Sequence, residues 1–135
     1  MARKASSARK PKPRERAMID IKRVYDDRSA DEGLRILVDR LWPRGVSKDA
    51  AALDLWAKEV APSPGLRTWF DHREDRFAEF KRLYLLELRS NPAVPDLIGQ
   101  IGKRRATLLY GAKDPVINHA VVLAEYLDGY HARKK

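Results

Sequence analysis

The feature that most constrains this chain is a pair of short aliphatic runs, Ile36-Leu37-Val38 and Leu108-Leu109, each set in a β-prone segment. Side chains alternate sides along a strand, so consecutive large aliphatics bury both faces. That pattern belongs to the central strands of a sheet covered on both sides, not to a sheet with one face in water. Residues 35–40 and 106–110 are therefore read as buried central strands. Between and after them the apolar spacing turns helical. Phe77, Phe80, Tyr84 and Leu88 recur at intervals of three and four within residues 73–89, and Ile117, Ala120, Val121, Ala124 and Leu127 make one face near the end of the chain. Strands alternating with helices predict an α/β fold: a single compact domain whose small, mostly parallel central sheet of about four strands is flanked by helices.

The remaining elements are read from local chemistry. Residues 19–25 alternate as a strand does, with a slip before Val24 that permits a bulge. Residues 27–33 are a polar turn. Ser47 caps a short helix that runs into the alanines. Residues 53–60 read as a strand or a short extended arm, ended by Pro62 and Pro64. Residues 66–70 form a short helix, Asn91-Pro92 breaks the long one, and a further helix over 96–101 stops near Gly102. Asp114 with Pro115 behind it predicts the start of the last helix, which runs to about Leu127.

Length and charge bound the rest. A chain of 135 residues, 44% of them hydrophobic, suits one core, and no window is long and apolar enough to span a membrane. With no cysteine there are no disulfides, thiolate metal sites or cysteine nucleophiles, so a reducing cytoplasm is the expected compartment. The formal charge is +9, but residues 1–16 hold seven Lys or Arg against Glu15, and Arg133, Lys134 and Lys135 close the chain. Residues 17–132 are left with 18 positive and 18 negative charges. Basic tails around a neutral body point to loose attachment to polyanions and not to sequence-specific nucleic-acid recognition. The expected organisation is a disordered basic tail over 1–17, one α/β domain over 18–128 and a basic C-terminal tail over 129–135. The first tail has neither the apolar stretch of a secretory signal nor the amphipathic face of a transit peptide.

In open α/β sheets ligands bind beyond the carboxyl ends of the strands. Arg40, Trp42 and Arg44 follow the first buried strand, and Lys113 and Asp114 follow the second, just before a helix start whose free N–H groups attract anions. If those strands are neighbours, Arg40, Arg44 and Lys113 make a cationic pocket with Trp42 as a stacking wall, suited to a phosphate or carboxylate. Asn118 is a further ligand-binding candidate. Asp39 and His119 are the candidate catalytic acid–base pair, with the cations as stabilisers. Each residue has a structural alternative. Asp39 and Arg40 are adjacent in an extended segment and suit separate salt bridges, and Pro43-Arg44-Gly45 suits a plain turn. Trp42, Trp56 and Trp69 suit core positions, His119 a packing role, Asn118 a tie on the Lys113 loop, and His72 the surface. The histidines have no metal-ligand spacing, no cofactor motif is present, and Ser63, between prolines, is no nucleophile elbow.

Several of these blocks carry a family resemblance: Arg23-Val24-Tyr25-Asp26, Val38-Asp39-Arg40-Leu41-Trp42-Pro43-Arg44-Gly45, Ala61-Pro62-Ser63, Leu66-Arg67-Thr68-Trp69-Phe70, and Leu108-Leu109-Tyr110-Gly111-Ala112-Lys113-Asp114 leading to Asn118-His119-Ala120. The chain from Met18 to Leu127, about 110 of its 135 residues, resembles the YeaO-like branch of the domain of unknown function 488 family. The resemblance implies a cytoplasmic α/β protein of a family with no assigned activity. In the wider family Cys and Cys-His-Arg often stand where this chain has Tyr110 and Asn118-His119-Ala120, a departure that removes any thiol or rhodanese-like mechanism. Some relatives carry a methyltransferase label, but no glycine-rich loop follows the first strand to support one here.

Three function classes follow. The first is an anionic small-molecule or nucleotide site in a cationic cleft at the strand ends, with or without acid–base catalysis. The second is a nucleic-acid accessory protein acting through basic tails. The third is a non-catalytic interaction module, distinguished by an exposed apolar patch in place of a charged cleft.

Overall fold

The computed structural model describes residues 19–134, and the expected tail over residues 1–17 lies outside them. Four strands, β1 (Ile19–Arg23), β2 (Leu34–Leu37), β3 (Leu55–Trp56) and β4 (Ala106–Tyr110), form one sheet in the order β1-β4-β2-β3. Every neighbouring pair is parallel. The two strands with aliphatic runs sit side by side in the middle, and all five residues of β4 are buried. Parallel neighbours need crossovers, which the helices supply. They are α1 (Lys48–Ala51), α2 (Pro64–Phe70), α3 (Phe77–Arg89), α4 (Ala93–Ile101) and α5 (His119–Lys134), with short 3₁₀ turns at Lys58–Val60 and Glu74–Arg76.

The two faces of the sheet are solved differently. One carries the main core, where Ile36, Val38, Ala106, Leu108 and Tyr110 meet Phe80, Tyr84, Leu88, Leu123 and Leu127 from α3 and α5. The other has a smaller apolar patch, Val24, Leu37 and Leu109 under Trp42, Val46, Leu53 and Trp56. Beside that patch, on the same alternating face, lies a buried ionic cluster. Arg35 is 4% and Glu32 6% exposed. Glu32 pairs with both Arg35 and Lys22 and accepts the Ser29 N–H at 3.0 Å. Arg35 also donates to the Ala51 carbonyl, from Nη2 at 2.8 Å and Nε at 3.1 Å, and Thr107 donates to the Glu32 carbonyl at 2.8 Å. Burial pushes the Glu32 carboxyl up, but hydrogen bonds from Lys22 and Arg35 outweigh it and hold the pKa at about 2.

Some sequence expectations change. No bulge precedes Val24: the β1–β4 register runs unbroken from Ile19↔Ala106 to Arg23↔Tyr110, and Val24 simply faces the smaller patch while Ile19 and Ile21 face the main core. The segment 53–60 is a two-residue strand followed by a 3₁₀ turn. The helix expected over 73–89 opens with the 3₁₀ turn Glu74–Arg76. The last helix starts at His119 and not at Pro115, because two caps compete. Asp114 does accept the N–H groups of Val116 and Ile117, at 2.8 and 2.9 Å, but as an isolated turn. Asn118 then donates to the Asp114 carbonyl at 2.7 Å and caps the Val121 N–H at 3.0 Å. That helix continues to Lys134, beyond the last buried residue of its apolar face, Leu127. Among the described residues no helix is long and apolar enough to cross a membrane, and no group of three His, Asp or Glu side chains is placed to hold a metal ion.

Candidate functional site

At the carboxyl ends of β2 and β4 the chain opens a cleft of about 260 Å³. Its first wall is the segment that leaves β2. Val38 continues the strand and donates to the Leu109 carbonyl at 3.0 Å, after which the backbone swings away. Gly45, at φ +79°, completes the turn that the sequence placed at Pro43-Arg44-Gly45, a backbone region where glycine is free of Cβ strain. Two indoles hold this wall from the smaller patch. Trp56 Nε1 donates to the Asp39 carbonyl at 2.8 Å, Trp42 Nε1 to the Val46 carbonyl at 2.6 Å, and the rings meet edge to face at 5.3 Å. Trp42 thus packs in the smaller patch and lines the cleft as well. Tyr25 closes the side by donating to the Arg44 carbonyl at 2.8 Å.

Asp39 and His119 meet behind this wall. One carboxylate oxygen of Asp39 accepts the Gly111 N–H at 2.9 Å. A Cβ at position 111 would lie 3.1 Å from that same oxygen, so glycine leaves room for the carboxylate. The other oxygen, Oδ1, is 3.1 Å from His119 Nε2. The Val38 carbonyl is also 3.1 Å from Nε2 and, being only an acceptor, fixes the proton on that nitrogen. Oδ1 lies at ion-pair distance from the same nitrogen, so the Asp39 carboxylate and the Val38 carbonyl converge on one N–H. This arrangement joins the end of β2, the turn after β4 and the start of α5. In the neutral ring the lone pair is then on Nδ1, the nitrogen from which any base chemistry would have to proceed.

The second wall is the strap of residues 59–63, pinned at every position. Asn91 donates to the Glu59 carbonyl at 2.9 Å and Tyr84 to the Val60 carbonyl at 2.5 Å. Arg40 Nη2 donates to the Ala61 and Pro62 carbonyls at 3.3 and 3.4 Å. Glu87 takes both the N–H and the hydroxyl of Ser63, at 2.9 and 2.6 Å, while that hydroxyl caps α2. Tyr84 is fully buried, and its pKa is raised by burial first and by the nearby Glu87 and Asp39 carboxylates second. Arg40 is thereby locked across the cleft, with its Nε buried and unpartnered.

Of the residues singled out in the sequence, the structure brings Asp39, Arg40, Trp42, Arg44, Asn118 and His119 to one cleft. Lys113 is not among the lining residues. Two others that sequence reasoning passed over are. Arg67, on α2, is exposed, and its guanidinium has no partner among the described residues. His72 is exposed as expected, but it reaches the rim on a backbone at φ +55°, directly after Asp71 at φ +48°. Consecutive left-handed non-glycine residues are strained and occur where the surroundings enforce them. Arg67 carried a signal in its block Leu66-Arg67-Thr68-Trp69-Phe70, one lone cation among apolar positions. His72 carried none, because neither spacing nor composition reports which way a short loop folds back.

Comparison with known proteins places the chain among relatives. The family model described as the inactive DUF488-N3 subclade matches residues 18–135. The chain is 46% identical over 110 residues to the uncharacterised protein YeaO of Escherichia coli (strain K12), covering 81% of this chain and 96% of that one. It is 40% identical over 111 residues to an uncharacterised protein of Mycobacterium tuberculosis (strain ATCC 25618 / H37Rv), covering 82% of this chain and 94% of the relative. No solved structure matches significantly.

Proposed function

This chain belongs to the YeaO-like DUF488 family, in its inactive DUF488-N3 subclade, and from that premise we propose that it binds a small anionic molecule in the cleft at the strand ends without transforming it. The observation that carries the proposal is the charge lining that cleft. Arg40, Arg44 and Arg67 face Asp39 as the sole lining carboxylate, and Asp39 is already engaged by Gly111 and close to His119. Guanidinium groups present forked donors that match phosphate and carboxylate, and the capped start of α5 adds its positive end.

Absence of catalysis is supported by what the polar residues do instead. The Nε2–H of His119 is committed to the Val38 carbonyl. Asn118, 1% exposed, spends both ends of its amide on the helix cap and the Asp114 carbonyl. Tyr110 is buried and kept neutral, its pKa raised by burial first and the Asp26 charge second. The Asp39–His119 pair is read as a clasp that shapes the cleft. A chain without cysteine fits the reducing cytoplasm as its compartment.

A thermal-shift panel of phosphorylated and carboxylated metabolites against the full chain tests the proposal. At least one anion is expected to raise the melting temperature, with the shift lost in Arg44→Ala and in Arg67→Ala, both exposed positions where folding is spared. Stabilisation of equal size in the two variants and the parent would remove the cleft from consideration.

A further inference from the structure

The exposed residues that line the cleft are Tyr25, Leu41, Arg44, Arg67 and His72, and none of them is a carboxylate. The Tyr25 hydroxyl is spent on the Arg44 carbonyl at 2.8 Å. The side chains of Arg44, Arg67 and His72 have no hydrogen bond or ion pair among the described residues. They come from three segments: the turn after β2, the last turn of α2 and the loop that follows α2. Other cations of that loop are engaged, Arg73 with Asp75 and Arg76 with the ring and carbonyl of Trp69. His72 stands at the rim against the preference of its own backbone. Asp71 ends α2 in the left-handed region with its N–H on the Arg67 carbonyl at 3.1 Å, and His72 follows at φ +55° with its ring 6.1 Å from that of Phe70. The Arg73 N–H then returns to the Phe70 carbonyl at 2.9 Å. Glycine would take φ +55° freely, and side chains held in this region gather at ligand sites.

Anion classes separate on the number and direction of these donors. A carboxylate has two oxygens in one plane and is filled by one guanidinium fork. A phosphate dianion has three or more acceptor oxygens pointing in different directions and takes donors from several sides. The cleft, at about 260 Å³, lies below the range of sites that enclose a metabolite. Its floor is closed by the stacked rings of Phe70 and Phe80, 4% and 1% exposed. Such a cleft admits an anionic head and leaves any carrier outside. Resting on the anion-binding reading of the same cleft, we propose that the ligand is a phosphate dianion, free or at the end of a larger molecule. Arg44, Arg67 and protonated His72 hold it at the mouth, and His72 gives the preference over a carboxylate. The other charged or titratable side chains of the cleft are Tyr25 after β1, Asp39 and Arg40 beside Arg44, and His119 on α5. Asp71, Glu74 and the Arg73–Asp75 pair are neighbours of His72 along the chain. Histidine is the side-chain type that changes charge between about pH 5 and 8, so the proton dependence of the site rests with His72 or with His119.

Calorimetric titration of the full chain with sulfate and acetate at about pH 6 and about pH 8 tests this, since sulfate is a dianion throughout and only the protein changes charge. At the lower pH sulfate is expected to bind at least about ten-fold more tightly than acetate, and to weaken by about that factor at the higher pH or in His72→Gly. His72→Gly is expected to lose the pH dependence while melting no lower than the parent, because glycine relieves the left-handed backbone. His72→Asn, which tolerates the same backbone without the charge, is expected to lose it too. Acetate binding as tightly as sulfate, or a pH dependence that persists in both variants, overturns the phosphate reading and leaves the anion site of Arg44 and Arg67 standing. A lower melting temperature in His72→Gly with sulfate affinity unchanged makes His72 a packing residue and likewise overturns it, and no binding by either anion overturns both readings. Inorganic phosphate and methyl phosphate separate the sources of the same chemistry: equal or tighter binding of the ester identifies the end of a larger molecule, and weaker binding the free ion.

Discussion

Replacing Glu32 by Gln probes the ionic cluster on the smaller face of the sheet. The substitution keeps the shape of the side chain and removes one charge from between Lys22 and Arg35. The wild-type carboxyl is held at about 2 against an ordinary 4.5. A folded-state pKa below the unfolded one contributes stability that is complete above the unfolded value and is lost as pH falls through that value toward the folded one. At pH 7 the depression corresponds to about 3 kcal/mol, and at pH 3 to about 1.4 kcal/mol, so acidification removes about 2 kcal/mol from this group alone. Gln cannot titrate and loses none of it. It also leaves Arg35 buried without a counter-charge, so the variant is expected to be less stable at pH 7 by about 3–5 kcal/mol. Urea unfolding followed by tryptophan fluorescence at pH 7, 5 and 3 reads the difference directly. The gap between the two proteins should narrow by about 2 kcal/mol on going to pH 3. A gap that stays constant with pH, or one below about 1 kcal/mol at pH 7, would refute the assignment of Glu32 as the buried counter-ion.

Two further predictions follow from backbone geometry. Gly33→Ala places a Cβ 2.1 Å from the Arg105 carbonyl oxygen at φ +70°, whereas Gly45→Ala, at φ +79°, meets open space. The second should lose only the backbone preference of roughly 1 kcal/mol and the first distinctly more, so equal melting temperatures would contradict the close approach of residues 33 and 105. Asn118→Ala should cost about 1 kcal/mol in urea unfolding as the true cap of α5, and Asp114→Ala less; the reverse order would return the cap to Asp114.

The fold was legible where burial repeats with a fixed period. Ile36-Leu37-Val38 and Leu108-Leu109 identified the central strands, and Phe77, Phe80, Tyr84 and Leu88 the helix that covers them, because both periods follow from backbone geometry alone. Arg35 was not legible as a buried residue. Its neutralisation depends on Glu32, which reaches it from a loop and is shared with Lys22 on another strand. The helix start at His119 was missed for a different reason: Asp114 and Asn118 are both good caps, and composition does not report that Asn118 caps Val121 while tying back to the Asp114 carbonyl. For the cleft, the rule that ligand sites gather at strand carboxyl ends selected Asp39, Arg40, Arg44 and His119, which line it, and also Lys113, which is exposed and is not among the lining residues. Arg67 and His72 come from a helix and a loop with no sequence link to those strands.

The ionic cluster and the cleft bear on each other. Around Glu32 this chain gives its cations hydrogen-bond partners, with two basic side chains on one carboxylate and the guanidinium of Arg35 shared with the Ala51 carbonyl. Two exposed arginines of the helical face are paired as well: Arg73 with Asp75 and Arg82 with Glu79, which lowers both carboxyl pKa values through those hydrogen bonds. Arg44 and Arg67, like Arg28 and Arg89, have no carboxylate or carbonyl partner for the guanidinium among the described residues, but these two border one cleft. Two solvated arginines cost little, so stability alone neither requires nor forbids them. Their convergence with the locked Arg40 on a site holding a single carboxylate is what separates a ligand site from a solvated surface, and it makes the salt dependence of ligand affinity the discriminating quantity. Affinity that falls as salt rises in the parent chain, and falls less in Arg44→Ala/Arg67→Ala, assigns the attraction to these two side chains and not to the basic ends of the chain.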